Sequence, residues 1–246
     1  MRILIISDVH ANLYALRAIL ERARGYDYAI FVGDSVDYGP HPVEVIDLLK
    51  ESIDIWVMGN HDNAVAWNVD CGCSSKMHGL SVYTRKSISL KMLGEEEIRF
   101  LQSLPLRRKI DIEGTKFYVV HATPRDPLYT YMHPTVTPDE LKKLLYEKTA
   151  EGEKLIEADY LIVGHTHIPM LREWGSLRII NPGSVGQPRD GDNRASYAII
   201  ELDRGEILLR KARYDIEKTI EDIKKLGLEK SFEQLLIKIL ITGCIP

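Results

Sequence analysis

Arg2-Ile-Leu-Ile-Ile-Ser-Asp8-Val-His10-Ala-Asn12-Leu13 decides the reading of this chain. Ile3 to Ile6 is an unbroken apolar run without alternation, the pattern of a strand buried on both faces of a layered α/β domain. The run breaks at Asp8-x-His10, and Asn12 then opens a helical pattern with Leu13, Leu16, Leu20 and Ala23 on one face. Open α/β sheets place their chemistry beyond the carboxyl ends of the strands. A carboxylate and an imidazole two residues apart can reach one metal ion there, but the same pair also serves as a turn and a cap. The later strands decide between these readings.

Tyr28-Ala-Ile-Phe-Val-Gly-Asp34 is a second buried strand ending on an aspartate. Asp37 to Pro42 is turn material, with Pro42 opening a helix that carries Val45, Ile46 and Leu49. Ile53 to Met58 is a third strand and runs into Gly59-Asn-His-Asp62. Lys116 to Ala122 is a fourth, carrying His121, and Tyr160-Leu-Ile-Val-Gly-His-Thr-His167 a fifth. Simple capping does not predict such a succession of polar residues at one end of a sheet; metal or phosphate chemistry does. Between these strands, residues 77–93 and 95–104 read as helices. Cys71-Gly-Cys73 lacks a second thiol pair at zinc-site spacing and reads as a flexible loop with incidental thiols. Thr123 to Pro134, rich in proline and tyrosine, has the length of a lid or binding loop. A glycine-rich loop follows the strand Leu177 to Asn181, and residues 195–214 form a hairpin around Asp203-Arg-Gly205. Two amphipathic helices, 215–226 and 231–241, close the chain.

A length of 246 residues suits one large α/β domain or two small ones, and no composition break marks a linker, so a single domain over 1–246 is expected. The net charge of −4, without any basic block, gives no footprint for nucleic acid. The first apolar run is too short for a signal peptide or membrane span, and residues 235–241 are too short to cross a bilayer. Three cysteines make no disulfide framework, so a reducing cytoplasm is the expected location. The terminal helices are expected to pack on the domain; a contact between copies of the chain is the alternative.

The strand-end residues Asp8, His10, Asp34, Asn60, His121, His165 and His167 exceed what a single tetrahedral ion needs and suit two ions sharing a carboxylate. Such a pair clamps an in-line displacement at phosphorus. The mixed oxygen and nitrogen donors favour Mn, Fe, Zn, Co or Ni over Mg or Ca. His61 lies beside Asn60 and can donate a proton to a departing alkoxide, with Asp62 expected to hold its ring. Asn12, Arg125 and Arg189 are the candidates to contact substrate.

With these residues in view, the chain resembles the calcineurin-like metallophosphoesterases. The five blocks of that family stand in order as Asp8-Val-His10, Gly33-Asp-Ser-Val-Asp37, Gly59-Asn-His-Asp62, Val120-His-Ala122 and Gly164-His-Thr-His167. The resemblance implies an α/β fold, a four-layer α/β/β/α sandwich of two mixed sheets with a dimetal site at the strand ends. It implies that Asp8, His10, Asp34 and His167 hold one metal and Asp34, Asn60, His121 and His165 the other, with Asp34 bridging. It also implies a metal-bridging hydroxide as nucleophile and His61 as acid. Ala122 stands where glycine is commoner. Asn181-Pro-Gly-Ser-Val-Gly186 is similar to the small prokaryotic phosphodiesterases of the family. Tyr38 stands where its protein phosphatases carry a phosphate-gripping arginine, and Asp62 ends a block that they end with Glu. Both differences point to hydrolysis of a small phosphodiester. The alternatives are a phosphomonoesterase or nucleotide phosphatase, and a protein-binding scaffold of the same fold. A metallo-β-lactamase-like hydrolase fits less well, because Ile168-Pro-Met170 follows His167 where that group continues with Asp and His.

Overall fold

The computed structural model describes residues 1–245. Its strands are β1 (Arg2–Ile6), β2 (Tyr28–Phe31), β3 (Ile55–Trp56), β4 (Arg107–Ile112), β5 (Thr115–Val120), β6 (Tyr146–Thr149), β7 (Gly152–Leu155), β8 (Tyr160–Ile162), β9 (Met170–Trp174), β10 (Leu177–Asn181), β11 (Ala195–Glu201) and β12 (Glu206–Ala212). One sheet runs β12-β11-β1-β2-β3 and the other β4-β5-β8-β10-β9, while β6 and β7 form a separate hairpin. Both large sheets are mixed. The strands that lead to the chemistry pair in parallel, β1–β2–β3 in one sheet and β5–β8 in the other, and the antiparallel strands β12, β4 and β9 close the remaining edges.

The apolar run of β1 is continuous because each of its faces is buried against a different layer. Ile3 and Ile5 pack with Ile30 and Val32 against Phe117, Val119, Ile162 and Ile180 of the facing sheet. Leu4 and Ile6 point the other way, onto Leu16 and Ile19 of helix Leu13–Arg22 and Val45 and Leu49 of helix Pro42–Ser52. Burying each such side chain stabilises the fold by about 1.5–3 kcal/mol. The outer face of the second sheet is covered near Tyr118, Leu161 and Ile179 by Leu141 of helix Pro138–Leu144 and by Leu145. The layer order is therefore helix, sheet, sheet, helix, as expected.

Register brings the strand ends level. Ile6 pairs with Phe31 and Phe31 with Trp56, so the turns after β1, β2 and β3 leave one edge together. In the second sheet Val119 pairs with Ile162, which aligns His121 with Gly164-His165.

Strands β4, β9 and the β6–β7 hairpin escape the sequence reading. The first two are edge strands that interleave charged and apolar residues, as in Arg107-Arg-Lys-Ile-Asp-Ile112. Residues 75–92 are helical as expected but include a π-helical turn, Arg85–Ser89. The terminal helices Ile216–Lys225 and Lys230–Thr242 pack Ile220, Ile223, Leu236 and Ile239 around Tyr38, Met77 and Leu80. Among the described residues no helix is long and apolar enough to cross a membrane.

Candidate active site

Ten non-glycine residues among those described have positive φ, and eight of them are Asp8, His10, Ala11, Asp34, Asp37, Tyr38, His165 and His167. Left-handed backbone costs an ordinary residue about 1–3 kcal/mol. Its concentration in the turns after β1, β2 and β8 shows where the fold spends stability to aim side chains. Backbone bonds hold these turns to one another: Asp8 N to Gly33 O at 2.9 Å, His10 N to Asp34 O at 3.0 Å and Gly164 N to His121 O at 2.7 Å. Gly33, at φ +92°, permits the close approach, since a Cβ there would lie 2.6 Å from Gly59 N.

The turns bring seven expected residues into one buried cluster. Asp8, His10, Asp34 and His167 converge, and Asp34 also joins His121 and His165. His121 Nε2 lies 3.0 Å from Asn60 Oδ1, which adds the amide. Each imidazole is oriented from behind by a carbonyl. His10 Nδ1 donates to Val36 O at 2.8 Å, His121 Nδ1 to Val32 O at 2.6 Å and His167 Nδ1 to Gln187 O at 2.6 Å. These bonds turn three Nε2 atoms inward. His165 is reversed: its Nε2 donates to Tyr129 O at 3.2 Å, leaving Nδ1 to face the cluster.

The electrostatics suit cations. Burial drives His10 down to about 3 and His167 well below the usual range, so both rings are neutral. With each Nδ1 proton committed, the lone pairs of His10 Nε2 and His167 Nε2 face one another across 3.3 Å. Both oxygens of Asp8 and Oδ2 of Asp34 are buried without a hydrogen-bond partner. Burial pushes the Asp8 carboxyl up to about 7, the Asp34 charge adding to this and His121 opposing it. Burial opposes ionisation of Asp34 as well, yet the charges of His121 and His61 hold it well below the carboxylate range. Burial also works against a charged His121, but Asp34, 3.3 Å away, lifts it to about 9. The neutral His10 and His167 rings and the unpartnered carboxylate oxygens are costly when buried alone and fit divalent metal ions, and a cation bound beside Asp34 would displace the His121 proton.

His61 and Asp62 sit in the first turn of helix Asn60–Trp67. The expected link between them is corrected: the partner of His61 Nδ1 is Asp37 Oδ2, at 2.9 Å, and Ser89 Oγ donates to Asp37 Oδ1 at 2.8 Å. Asp62 faces the other way and accepts from Asp34 N, Ser35 N, Ser35 Oγ and Gly59 N at 2.6–3.0 Å, clamping the Asp34 turn. Burial lowers the His61 pKa, but the charges of Asp34 and Asp37 and the Asp37 hydrogen bond raise it above the ordinary value.

Of the substrate candidates, only Arg189 joins the site. It reaches over Gln187, donating to Oε1 at 2.7 Å, while its Nε is buried without a partner. Arg125 is instead engaged by Glu153 of β7 at 3.0 Å. Asn12 is the N-cap of the first helix, accepting from Ala15 N at 3.2 Å and donating to Gly186 O and Tyr214 Oη. Cys71-Gly-Cys73 is not a loose loop: Cys71 is fully buried, and its carbonyl accepts from Asn60 Nδ2 at 2.8 Å. Three further residues prove to build the site. Asn181 donates to Gly164 O and Thr166 Oγ1, Ser184 donates to Asp8 O, and Tyr131 stacks on His165. The Asn181-Pro-Gly-Ser184 run was the signal for the first two.

The cluster at the level edges of two packed sheets defines a phosphoesterase of the metal-dependent kind. The sequence profile described as the calcineurin-like phosphoesterase superfamily domain matches residues 1–205, and the chain belongs to that family. It is 34% identical over 241 residues to an uncharacterised protein of Methanocaldococcus jannaschii, covering 91% of this chain and 92% of the relative. It is 24% identical to the phosphodiesterase YfcE of Escherichia coli over 82% of this chain and 89% of that one. The crystal structure of a metallophosphoesterase from Sphaerobacter thermophilus, 33% identical, superposes with a TM-score of 0.80 and covers 99% of both chains.

Proposed function

We propose that the protein is a phosphodiesterase. Asp8, His10, Asp34 and His167 hold one divalent transition ion, Asp34, Asn60, His121 and His165 hold the other, and His61 is the general acid. The observation that carries the metal assignment is the pair of neutral imidazoles whose Nε2 lone pairs meet at 3.3 Å beside the unpartnered oxygens of Asp8. The donor set suits manganese, with iron, zinc, cobalt or nickel as substitutes. When bound, the ions polarise the phosphoryl oxygens and activate water.

The chain's own groups do the rest. Asp37 holds His61 through Nδ1, so Nε2 delivers the proton to the leaving oxygen as the P–O bond breaks. Arg189 offers charge to the phosphate. Diester preference is supported by Tyr38, which is buried under the terminal helices where a second guanidinium would otherwise grip a monoester dianion. Comparing kcat/KM for bis-aryl and mono-aryl phosphates on the metal-loaded protein tests this. The diester is expected to be favoured, and an about tenfold preference for the monoester would make the protein a phosphomonoesterase instead.

A further inference from the structure

We infer that the cavity beside the metal ligands takes a flat aromatic group carried by the ester, stacked along Tyr131 and His133. The inference rests on the phosphodiesterase reading for the phosphate to which that group is attached.

The cavity has a volume of about 440 Å³, within the range of small-molecule sites, and is lined by Tyr131, His133, Thr166, Ile168, Arg189 and Ile245, among others. Thr166 lies between His165 and His167, so the cavity adjoins the ligand cluster. Three near-parallel rings lead out from that cluster. Tyr131 stacks on His165 with centroids 4.0 Å apart and planes at 19°, and His133 lies parallel to Tyr131 at 5.4 Å and 12°. Buttressing His165 accounts for Tyr131 alone. It does not account for His133, which is exposed, touches no ligand in this stack and still keeps its ring parallel.

A row of parallel rings in a cavity with apolar side chains at Ile168 and Ile245 offers π-faces and dispersion to another flat ring, and little that is specific to an alkyl chain. Arg189, its Nε buried and unpartnered, stands where the phosphate would join that ring to the metal centre. Ser74, also in the lining, leaves a hydroxyl as polar partner for a heteroaromatic edge. A nucleobase and a simple aryl group share this chemistry.

Titration calorimetry of the metal-loaded protein with methyl phosphate, naphthyl phosphate and thymidine monophosphate separates the sources. These ligands share the phosphate and differ in the group that would enter the cavity. The aromatic ligands are expected to bind more tightly than methyl phosphate by on the order of 5- to 100-fold. Thymidine monophosphate exceeding naphthyl phosphate identifies a nucleobase site, and the reverse, or equality, an aryl site. Tyr131→Leu and His133→Ala should each reduce the aromatic-to-methyl ratio. Elemental analysis checks that Tyr131→Leu keeps its metals, and His133→Ala repeats the test away from the ligands. Equal binding of all three by the native chain, or a ratio unmoved in both variants, overturns the inference. Turnover of bis(nitrophenyl) phosphate in the same samples reports separately on the esterase reading, whose failure would leave the binding ratio intact.

Discussion

His61 is tied to Asp37, 24 residues earlier in the chain, by a 2.9 Å bond from Nδ1 to Oδ2. The pairing fixes which nitrogen faces the cluster, and the carboxylate favours the protonated ring. His61→Gln should therefore lose about 10²–10⁴-fold on an alkyl phosphodiester, whose leaving oxygen needs the proton. The loss on a nitrophenyl diester should be distinctly smaller. Steady-state kinetics on both esters decides the matter; equal losses with metals retained would end the general-acid role.

Asp37 and Asp62 should separate cleanly. Asp37→Asn is expected to keep its metal content and lose about 10–100-fold on the alkyl ester, with little further loss when added to His61→Gln. Asp62→Asn removes the clamp on the Asp34 turn and should instead lower bound metal, read by elemental analysis. Metal loss in Asp37→Asn with none in Asp62→Asn would reverse these roles.

Tyr38 cannot simply be exchanged for the arginine of the protein phosphatases. It is 2% exposed and packs among Ile220, Ile223, Leu236 and Leu240. Tyr38→Arg would bury an unpaired charge at a cost of about 3–5 kcal/mol and should not raise monoesterase activity. Tyr38→Phe, which conserves shape, should cost less than about 1.5 kcal/mol. Denaturant melts measure both, and a stable Tyr38→Arg variant with new monoesterase activity would contradict the account.

Glu147 on β6 ties the small hairpin to the second sheet through Lys109 and Arg107 of β4 and Tyr118 of β5. Burial raises its pKa, but the hydrogen bonds from Lys109 and Tyr118 and the nearby charges outweigh it, and the net shift is downward from 4.5. A depressed carboxylate contributes stability that is full above its unfolded pKa and is lost as pH falls through the folded one. Glu147→Gln should thus cost about 1 kcal/mol at neutral pH, or about 2–4 °C in Tm, and the gap should close on acidification below the ordinary glutamate range. A gap that persists there would assign the effect to packing.

The sequence carried the buried Asp and His cluster because each of its members follows a strand, and Ile3–Ile6 shows both the strand and its double burial. Edge strands such as β4 and β9 were illegible because they combine solvent-facing charges with a single buried face. Asp37 was overlooked for a different reason. Asp62 neighbours His61 in the chain, whereas Asp37 reaches it only through a left-handed turn at φ 67° and a π-helical turn that presents Ser89. Neither is visible as periodicity. Tyr131 was legible only as part of a long proline- and tyrosine-rich segment with the length of a binding loop.

The helices that roof Tyr38 begin at Ile216, beyond residue 205, where the match to the family profile ends. They are often the part discarded when a protein is trimmed to its recognisable unit. Here such a cut would also remove β12, the outer strand of the first sheet, and leave Tyr38, Met77 and Leu80 facing water. Tyr38 packs edge-on against His10 at 4.9 Å and lies 5.0 Å from His61, so its loosening would pass directly to one proposed metal ligand and the proposed proton donor. For this chain the segment that carries the family profile and the working unit have different lengths.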